Sequence, residues 1–276
     1  MSKMASYSIV FLDVDGTLLD SHHQVGPAAR ELLARLDSRG VPVVLASARP
    51  PKGLEPIYTQ LGFCGPVICC AGALAVLPDQ HILYDHGIPA ATAARFEQAV
   101  LEGWPNLALS AYLYDTWLTP DPDDPAIRRE SAITGCKPLA SALGSAALRL
   151  GDVHKLLIIG PERDITDLQH RLVPQFPELT VLRSNPTYLE VVAQGVCKEQ
   201  AAAALLDHFG LTPAQAVACG DGEVDAGMLR MAGLGVAMGN ASPQVRAAAD
   251  FVTAANDADG VFVALNRLRF TPPPAK

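Results

Sequence analysis

The stretch Ile9-Val10-Phe11-Leu12-Asp13-Val14-Asp15-Gly16-Thr17-Leu18 decides the fold. Its apolar residues predict a strand that is buried on both faces, and Gly16 predicts the turn that ends it. Asp13 and Asp15 therefore lie at the carboxyl end of that strand. In open parallel sheets this end faces the ligand crevice, where two carboxylates require a cation or a reaction. Mg²⁺, which prefers one or two carboxylates together with waters and a phosphate, fits such a pair. Taken alone, the pair is equally typical of a strand that runs into an acidic turn.

The composition is that of a globular chain, with 276 residues of which 49% are hydrophobic. This is enough for one large core or two smaller ones. The formal net charge of -8 and the lack of any Lys/Arg run argue against nucleic-acid binding. The longest apolar run, residues 67–77, is too short to span a bilayer, so we expect no membrane partner and a cytoplasmic location. The six cysteines show no metal-type spacing, which favours reduced thiols over zinc sites.

Helix and strand signals alternate near both ends of the chain. After the first strand, a helix that begins at Pro27 and a strand over residues 41–46 form a parallel βαβ unit. A third buried strand follows at residues 66–70, and the same alternation returns from residue 199 to residue 268. We therefore predict an α/β fold with a Rossmann-like parallel-sheet core, built from residues 1–85 and 185–276.

The middle of the chain, residues 86–184, has strands and helices of its own. Because it interrupts the core, it is predicted to be an inserted α+β cap domain. Inserts of this kind often close over an active site and select the substrate, so we assign this one to substrate specificity. A passive insertion is the alternative.

Three more segments carry reactive groups next to predicted strands or helices. Ser47 follows the second strand, Lys198 precedes a late helix, and residues 220–225, Gly-Asp-Gly-Glu-Val-Asp, follow the strand that ends at Cys219. We expect these groups to meet Asp13 at one edge of the sheet. In isolation, each has an ordinary explanation, such as a surface lysine or a serine that caps a helix.

With D-x-D-G-T at residues 13–17, then Ser47, Lys198 and the Gly-Asp motif in this order, the whole chain resembles the haloacid dehalogenase (HAD) superfamily. Residues 188–191 (Tyr-Leu-Glu-Val), 239–241 (Gly-Asn-Ala) and 259–261 (Asp-Gly-Val) are similar to the Cof-type sugar-phosphatase branch. The resemblance implies a HAD-type phosphatase with Mg²⁺ as cofactor, which acts on a small phosphorylated metabolite through an aspartyl-phosphate.

The resemblance also implies which acids carry the chemistry. Asp13 is expected to be the nucleophile that attacks phosphorus. Asp15 is expected to protonate the leaving group and then to deprotonate the attacking water. The carboxylates of Asp13 and Asp221 and the backbone carbonyl of Asp15 are expected to hold Mg²⁺.

Phosphate binding is expected to depend on a second set of residues. Ser47 donates a hydrogen bond in this interpretation, the backbone N–H of Ala48 assists, and Lys198 offsets charge. Arg49 either reaches the phosphate or pairs with a core carboxylate. Asp225 is expected to orient Lys198 or a metal-bound water from outside the metal's own ligands.

The chain departs from the family pattern at three positions. Val224 replaces an asparagine and cannot hydrogen-bond through its side chain. Ala48 replaces a glycine at a point where the backbone should approach phosphate, and Ala71 replaces another asparagine. We expect catalysis to survive, at a lower rate or with an altered substrate preference. Asn240 and Asn256 are interpreted as helix caps with at most a supporting role.

Two other functions remain open. A phosphomutase would pass the same phosphoryl group to a sugar hydroxyl in place of water. A phosphometabolite-binding or regulatory protein would keep the pocket and lose turnover. Neither the identity of the substrate nor the oligomeric state follows from the sequence.

Overall fold

The computed structural model describes residues 6–142 and 150–274. These residues form two compact units. The core unit comprises residues 6–48, Leu54–Tyr84 and residues 197–274, and the insert unit comprises Arg49–Gly53 and the described part of Asp85–Val196. The predicted fold class is confirmed, because a mainly parallel sheet with helices forms the core and a mixed α+β unit interrupts it.

The core unit is built on an eight-stranded sheet. In spatial order its strands are Phe251–Val252, Leu234–Ala237, Ala216–Gly220, Ile9–Asp13, Val43–Ala46, Val67–Cys69, Leu74–Val76 and Ile82–Asp85. The first six run parallel, and Leu74–Val76 pairs antiparallel with Val67–Cys69. A separate two-stranded sheet pairs Ser6–Tyr7 with Arg269–Phe270.

Helices of the core unit pack apolar faces against this sheet. They are Pro27–Ser38, Glu55–Leu61, Lys198–Phe209, Ala226–Met231, Pro243–Arg246 and Gly260–Leu265, with short 3₁₀ turns at Cys70–Gly72, Pro213–Gln215, Glu223–Asp225 and Asn256–Ala258. The first helix begins at a proline, which suits the first helical position, and buries Leu32, Leu33 and Leu36 on one face.

The strand Ile9–Asp13 lies where the strand order reverses. The strands that follow it in sequence are added on one side, and Ala216–Gly220 and the later strands are added on the other. Asp13 is in register with Ala46, and Leu12 is in register with Cys219. In sheets of this topology, the carboxyl ends at the reversal point form the ligand crevice. The segments that follow these strands therefore share one edge.

The insert unit has a six-stranded sheet of its own. In spatial order its strands are Leu179–Asn185, Tyr188–Ala193, Lys155–Ile159, Ala108–Leu113, Thr116–Thr119 and Leu139–Ala140. Its helices are Ala90–Gly103, Pro125–Thr134 and Glu162–Arg171, with 3₁₀ turns at Pro51–Gly53 and Val173–Gln175. Among the described residues, none of the helices combines the length and apolarity needed to cross a membrane.

The insert unit is longer than the sequence predicted. It ends at Val196, twelve residues after the predicted limit at residue 184, and it includes Arg49–Gly53. The reason is backbone pairing, because Tyr188–Ala193 hydrogen-bonds antiparallel to both Lys155–Ile159 and Leu179–Asn185. The division of labour between a hydrolase core and a specificity domain stays a prediction.

Candidate active site

Asp13 ends the central strand of the core sheet and is buried. Its carboxylate Oδ1 accepts a hydrogen bond from Lys198 Nζ at 2.5 Å. The two residues are 185 positions apart in the chain. Two separate predictions from the sequence are therefore brought into direct contact by the fold.

Lys198 is the first residue of the helix Lys198–Phe209, and its side chain is only 2% exposed. Besides Asp13, the ammonium contacts Asp225 Oδ1 at 2.6 Å. Burial lowers the pKa of Lys198, but the charges of Asp13 and Asp225 raise it by more, so its pKa lies above the ordinary value. A surface position for this lysine, the ordinary explanation considered for it, is excluded.

The turn before this helix is closely packed against Gly72. A β-carbon at Gly72 would collide with the backbone of Cys197, and Gly72 itself has φ 107°. Ala71 has φ 60°, in the left-handed region that asparagine tolerates better than alanine. The asparagine of the family pattern therefore suits this backbone, and Ala71 carries a conformational cost.

Asp225 is held by three donors. Its Oδ1 faces Lys198, while Oδ2 accepts the backbone N–H groups of Asp221 at 3.1 Å and Gly222 at 2.9 Å. Both oxygens are thus engaged within the protein. This arrangement meets the requirement for a group that orients Lys198, although that role stays a prediction.

Asp221 follows the strand Ala216–Gly220 and is held from the side by two polar groups. Thr17 Oγ1 donates to Oδ1 at 2.7 Å, and Asn240 Nδ2 lies 3.3 Å from Oδ2. A β-carbon at Gly16 would collide with this carboxylate, so glycine is required there. Thr17 was not among the predicted site residues, although the D-x-D-G-T motif contains it, and Asn240 was predicted to have at most a supporting role.

Three carboxylates converge on one point. Single oxygens of Asp13, Asp221 and Asp225 all lie within 4.8 Å of one another. Burial, followed by the charge of Asp225, raises the pKa of Asp13 despite the opposing effect of Lys198. Burial also raises the pKa of Asp221, against the hydrogen bond from Thr17. One ammonium cannot balance three carboxylates, so the cluster has the charge and the hard oxygen atoms that suit a divalent cation.

Asp15 differs from the other acids, because its side chain is 47% exposed and is not part of this cluster of three. Its Oδ1 lies 3.9 Å from Nδ1 of His23. A half-exposed carboxylate next to a buried acidic pair is accessible to a leaving group and to water. That is the position a general acid/base needs.

The predicted phosphate-binding residues fall in different units. Ser47 is buried at the end of the strand Val43–Ala46, and its backbone N–H donates to Ile68. Ala48 has no left-handed backbone, so its β-carbon causes no strain there. Arg49 belongs to the insert unit, where Nη1 donates to the Gly53 carbonyl at 3.4 Å. Binding of phosphate by all three stays a prediction.

Val224 lies in the 3₁₀ turn between Asp221 and Asp225 and is 41% exposed. An apolar side chain on the surface of this turn, which contains Asp225 and follows Asp221, contributes neither a donor nor an acceptor. This is consistent with the predicted loss of a polar contact at that position.

Three comparisons with known proteins agree. Residues 10–265 match the sequence profile of the haloacid dehalogenase-like hydrolases. A Haemophilus influenzae protein provisionally called a phosphatase is 33% identical, over 94% of this chain and 97% of that protein. An HMP-PP phosphatase of Cronobacter sakazakii is 31% identical, over 85% of each chain. The crystal structure of a haloacid dehalogenase-like hydrolase from Bacteroides thetaiotaomicron superposes with a TM-score of 0.87 at 30% identity, covering 95% of this chain and 99% of that one.

Proposed function

The chain belongs to the haloacid dehalogenase-like hydrolases, and from that premise we propose that it is a Mg²⁺-dependent phosphatase that hydrolyses a small phosphorylated metabolite through an aspartyl-phosphate. The contact that carries the proposal is the one between Lys198 Nζ and Asp13 Oδ1 at 2.5 Å, inside the cluster of three carboxylates. A buried carboxylate in direct contact with an ammonium is a competent nucleophile in its ionised form.

In the first step, an oxygen of Asp13 forms a bond to phosphorus as the bond from phosphorus to the ester oxygen breaks. Asp15 gives its proton to the departing oxygen. In the second step, a water molecule attacks the same phosphorus, Asp15 takes a proton from that water, and the carboxylate of Asp13 is released with inorganic phosphate. Two moderate barriers thereby replace one high barrier.

The proposed role of Lys198 is electrostatic. Its ammonium lies against the attacking carboxylate and keeps its proton, so it can offset the negative charge that accumulates on the phosphoryl oxygens. Asp225 keeps the ammonium in place from the other side. Ser47, at the same edge of the sheet, is proposed to donate to a phosphoryl oxygen.

The donor set fits Mg²⁺. Asp225 is already committed to Lys198 and to two backbone N–H groups, which leaves Asp13 and Asp221 as the carboxylate ligands, with the backbone carbonyl of Asp15 as the third proposed ligand. Mg²⁺ bound there would supply positive charge for a phosphate oxygen and for the transferring group.

The substrate class is argued from the relatives. Proteins about 30% identical over most of the chain are named as phosphatases, and one of these is named for HMP-PP. We therefore propose a small phosphorylated molecule such as a sugar phosphate.

The test is a screen of phosphate release over many phosphorylated metabolites, with and without Mg²⁺. Asp13→Asn is the inactive variant, and Asp207→Asn, which changes an exposed carboxylate on the helix Lys198–Phe209, is the matched control. We expect Mg²⁺-dependent release by the parent and the control, and a loss of at least about a thousandfold in Asp13→Asn. Equal rates in Asp13→Asn would refute the nucleophile. An isomerised ester would indicate a mutase, and binding without phosphate release would indicate a regulatory protein.

A further inference from the structure

Asn240 lies in the turn after the strand Leu234–Ala237, and its amide touches three other segments of the core unit. Nδ2 donates to the carbonyl oxygen of Gly16 at 2.8 Å and to Asp221 Oδ2 at 3.3 Å. Oδ1 accepts the backbone N–H of Asn256 at 3.1 Å. The two hydrogens on Nδ2 and one lone pair of Oδ1 are therefore all in use.

This pattern fixes the orientation of the amide. The end of the side chain that faces two acceptors must carry the hydrogens, and the end that faces a backbone N–H must be the oxygen. Of the side chains of this length, only asparagine presents two donors and one acceptor from a single planar group. Aspartate lacks the donors, and leucine lacks all three functions while it keeps the branched shape.

The hydrogen bonds of Asn240 reach two parts of the acidic cluster, the loop that follows Asp13 and the carboxylate of Asp221. Gly16 belongs to the loop directly after Asp13 and Asp15, and it packs against the carboxylate of Asp221 so closely that a β-carbon there would collide with it. Asn240 thus contacts the loop of the proposed nucleophile and the carboxylate of Asp221 at once.

Asn256 extends the contact. While its backbone N–H donates to Asn240, its side-chain Nδ2 donates to the carbonyl oxygen of Leu19 at 2.9 Å. The two asparagines therefore reach the same loop at two points, Gly16 and Leu19. Only Asn240 also reaches a carboxylate of the acidic cluster.

We propose that Asn240 is a positioning residue that sets the orientation of the Asp221 carboxylate relative to the Asp13 loop before a divalent cation binds. Thr17 fixes Oδ1 of Asp221 and Asn240 fixes Oδ2, so the carboxylate cannot rotate freely and its remaining lone pairs keep one direction. The inference rests on the proposed function, because it concerns the metal site of that reaction. A pre-oriented ligand raises cation affinity because less freedom is lost on binding.

The test measures binding of Mg²⁺ to the whole chain by calorimetry, without substrate. Asn240→Ala removes the three hydrogen bonds, and Asn240→Leu removes them while it keeps the shape. We expect the dissociation constant for Mg²⁺ to rise roughly threefold to tenfold in both variants. A change of this size corresponds to the loss of a net hydrogen bond. The kinetic constant for activation by Mg²⁺ should rise by the same factor at saturating substrate.

Two controls separate positioning from a general loosening of the loops. Asn256→Ala removes the bond to Leu19 but keeps the backbone N–H that holds Asn240, so its Mg²⁺ affinity should stay within about twofold of the parent. Asn266→Ala, an exposed asparagine beyond the helix Gly260–Leu265, should change nothing. Thermal unfolding without metal checks that each variant is folded.

Unchanged Mg²⁺ affinity in both folded Asn240 variants would overturn the inference and leave the proposed function standing. An equal loss in Asn256→Ala would also overturn it, since the effect would then belong to the loops in general. No Mg²⁺ binding by the parent would overturn the inference and the proposed function together.

Discussion

Each unit of the molecule contains a buried lysine paired with carboxylate, and the two pairs differ in their charge balance. In the core unit, Lys198 contacts two carboxylates at 2.5 and 2.6 Å, and a third lies in the same cluster. In the insert unit, Lys155 lies 3.1 Å from a single carboxylate oxygen of Glu190, and its Nζ lies 4.8 Å from the centre of the Tyr112 ring.

The comparison shows which buried ion pair indicates a binding site. Lys155 and Glu190 have opposite unit charges and are both almost fully buried, so this pair needs no further ion. The nearby carboxylate of Glu130 also interacts with both of them, but it is only partly buried and water can screen its charge. The cluster around Lys198 keeps an excess of negative charge, because three carboxylates share one ammonium. Burying such an excess is costly unless another cation neutralises it. It is this imbalance that marks a site for chemistry.

The largest effect on stability should come from breaking the balanced pair. In Lys155→Met, Glu190 would be left buried without its partner, and we expect the free energy of unfolding to fall by about 3 to 5 kcal/mol. The double variant Lys155→Met/Glu190→Leu should regain most of this loss, since a packed apolar pair needs no neutralising charge. Urea unfolding of both variants measures the difference. A double variant as unstable as the single one would contradict the assignment of this pair to structure.

The role of Lys198 in the core unit is tested by the effect of Lys198→Met on catalysis. Because Lys198 is proposed to offset charge in the transition state, we expect kcat to fall by about 10²–10³, equivalent to about 2.7–4 kcal/mol. The measurement is Mg²⁺-dependent phosphate release at saturating substrate, with circular dichroism to show that the variant is folded. A kcat within tenfold of the parent would mean that the two lysines do not differ in role.

Mg²⁺ should raise the stability of the protein by binding to the cluster of Asp13, Asp221 and Asp225, and not at the pair of Lys155 and Glu190. At a concentration of a hundred times the dissociation constant, a ligand that binds the folded state alone adds about 2.7 kcal/mol. We expect the unfolding temperature of the parent to rise in MgCl₂ compared with NaCl at equal ionic strength. Asp221→Asn should lose this rise, and Glu190→Gln should keep it. A rise that survives in Asp221→Asn would place the cation elsewhere.

The smallest expected effect is on the pH dependence of the free energy of unfolding, and it comes from His154, a buried imidazole that stays neutral. His154 Nδ1 accepts the backbone N–H of Tyr114 at 3.0 Å, so Nε2 carries the proton that is donated to Asp85 at 3.0 Å. Burial lowers the pKa of His154 from the ordinary value of 6.5, against the opposing effect of Asp85. The unfolded chain therefore binds this proton more readily than the folded chain does.

The contribution of neutral His154 to stability is therefore fully present above about pH 6.5. Below that pH the free energy of unfolding falls, with a slope of at most about 1.4 kcal/mol per pH unit. Urea unfolding between about pH 7.5 and pH 5.5 tests this for the parent and for His154→Asn, which should lose that part of the slope. His170→Asn, in the helix Glu162–Arg171 of the same unit, is the control and should keep it. An unchanged slope in His154→Asn would show that another group is responsible.

The sequence was sufficient for the parts of the site that depend on strand ends. Asp13, Lys198 and Asp221 were predicted to meet because parallel strands align their carboxyl ends, and they do meet. The order of the motifs also predicted the family, which the profile match confirmed. Compartment, metal identity and the assigned roles remain predictions.

Other features depend on contacts that no local pattern encodes. The bond from Thr17 to Asp221 spans 204 residues, and the amide of Asn240 meets its acceptors only after several loops are folded. The strand Tyr188–Ala193 was assigned to the core, which was predicted to resume at residue 185. Its backbone partners, which lie in the insert unit, decide otherwise.

The pairing of Ile9–Asp13 with Ala216–Gly220 has a consequence for synthesis on the ribosome. The earlier strand emerges first, yet its neighbour follows only about two hundred residues later, a delay of roughly 10 to 40 seconds at ordinary rates of translation. During that interval this buried central strand of the nascent chain has one open edge. By contrast, the insert's strands from Ala108 to Ala193 are encoded in one continuous stretch and can complete their sheet while the later core segments are still being made.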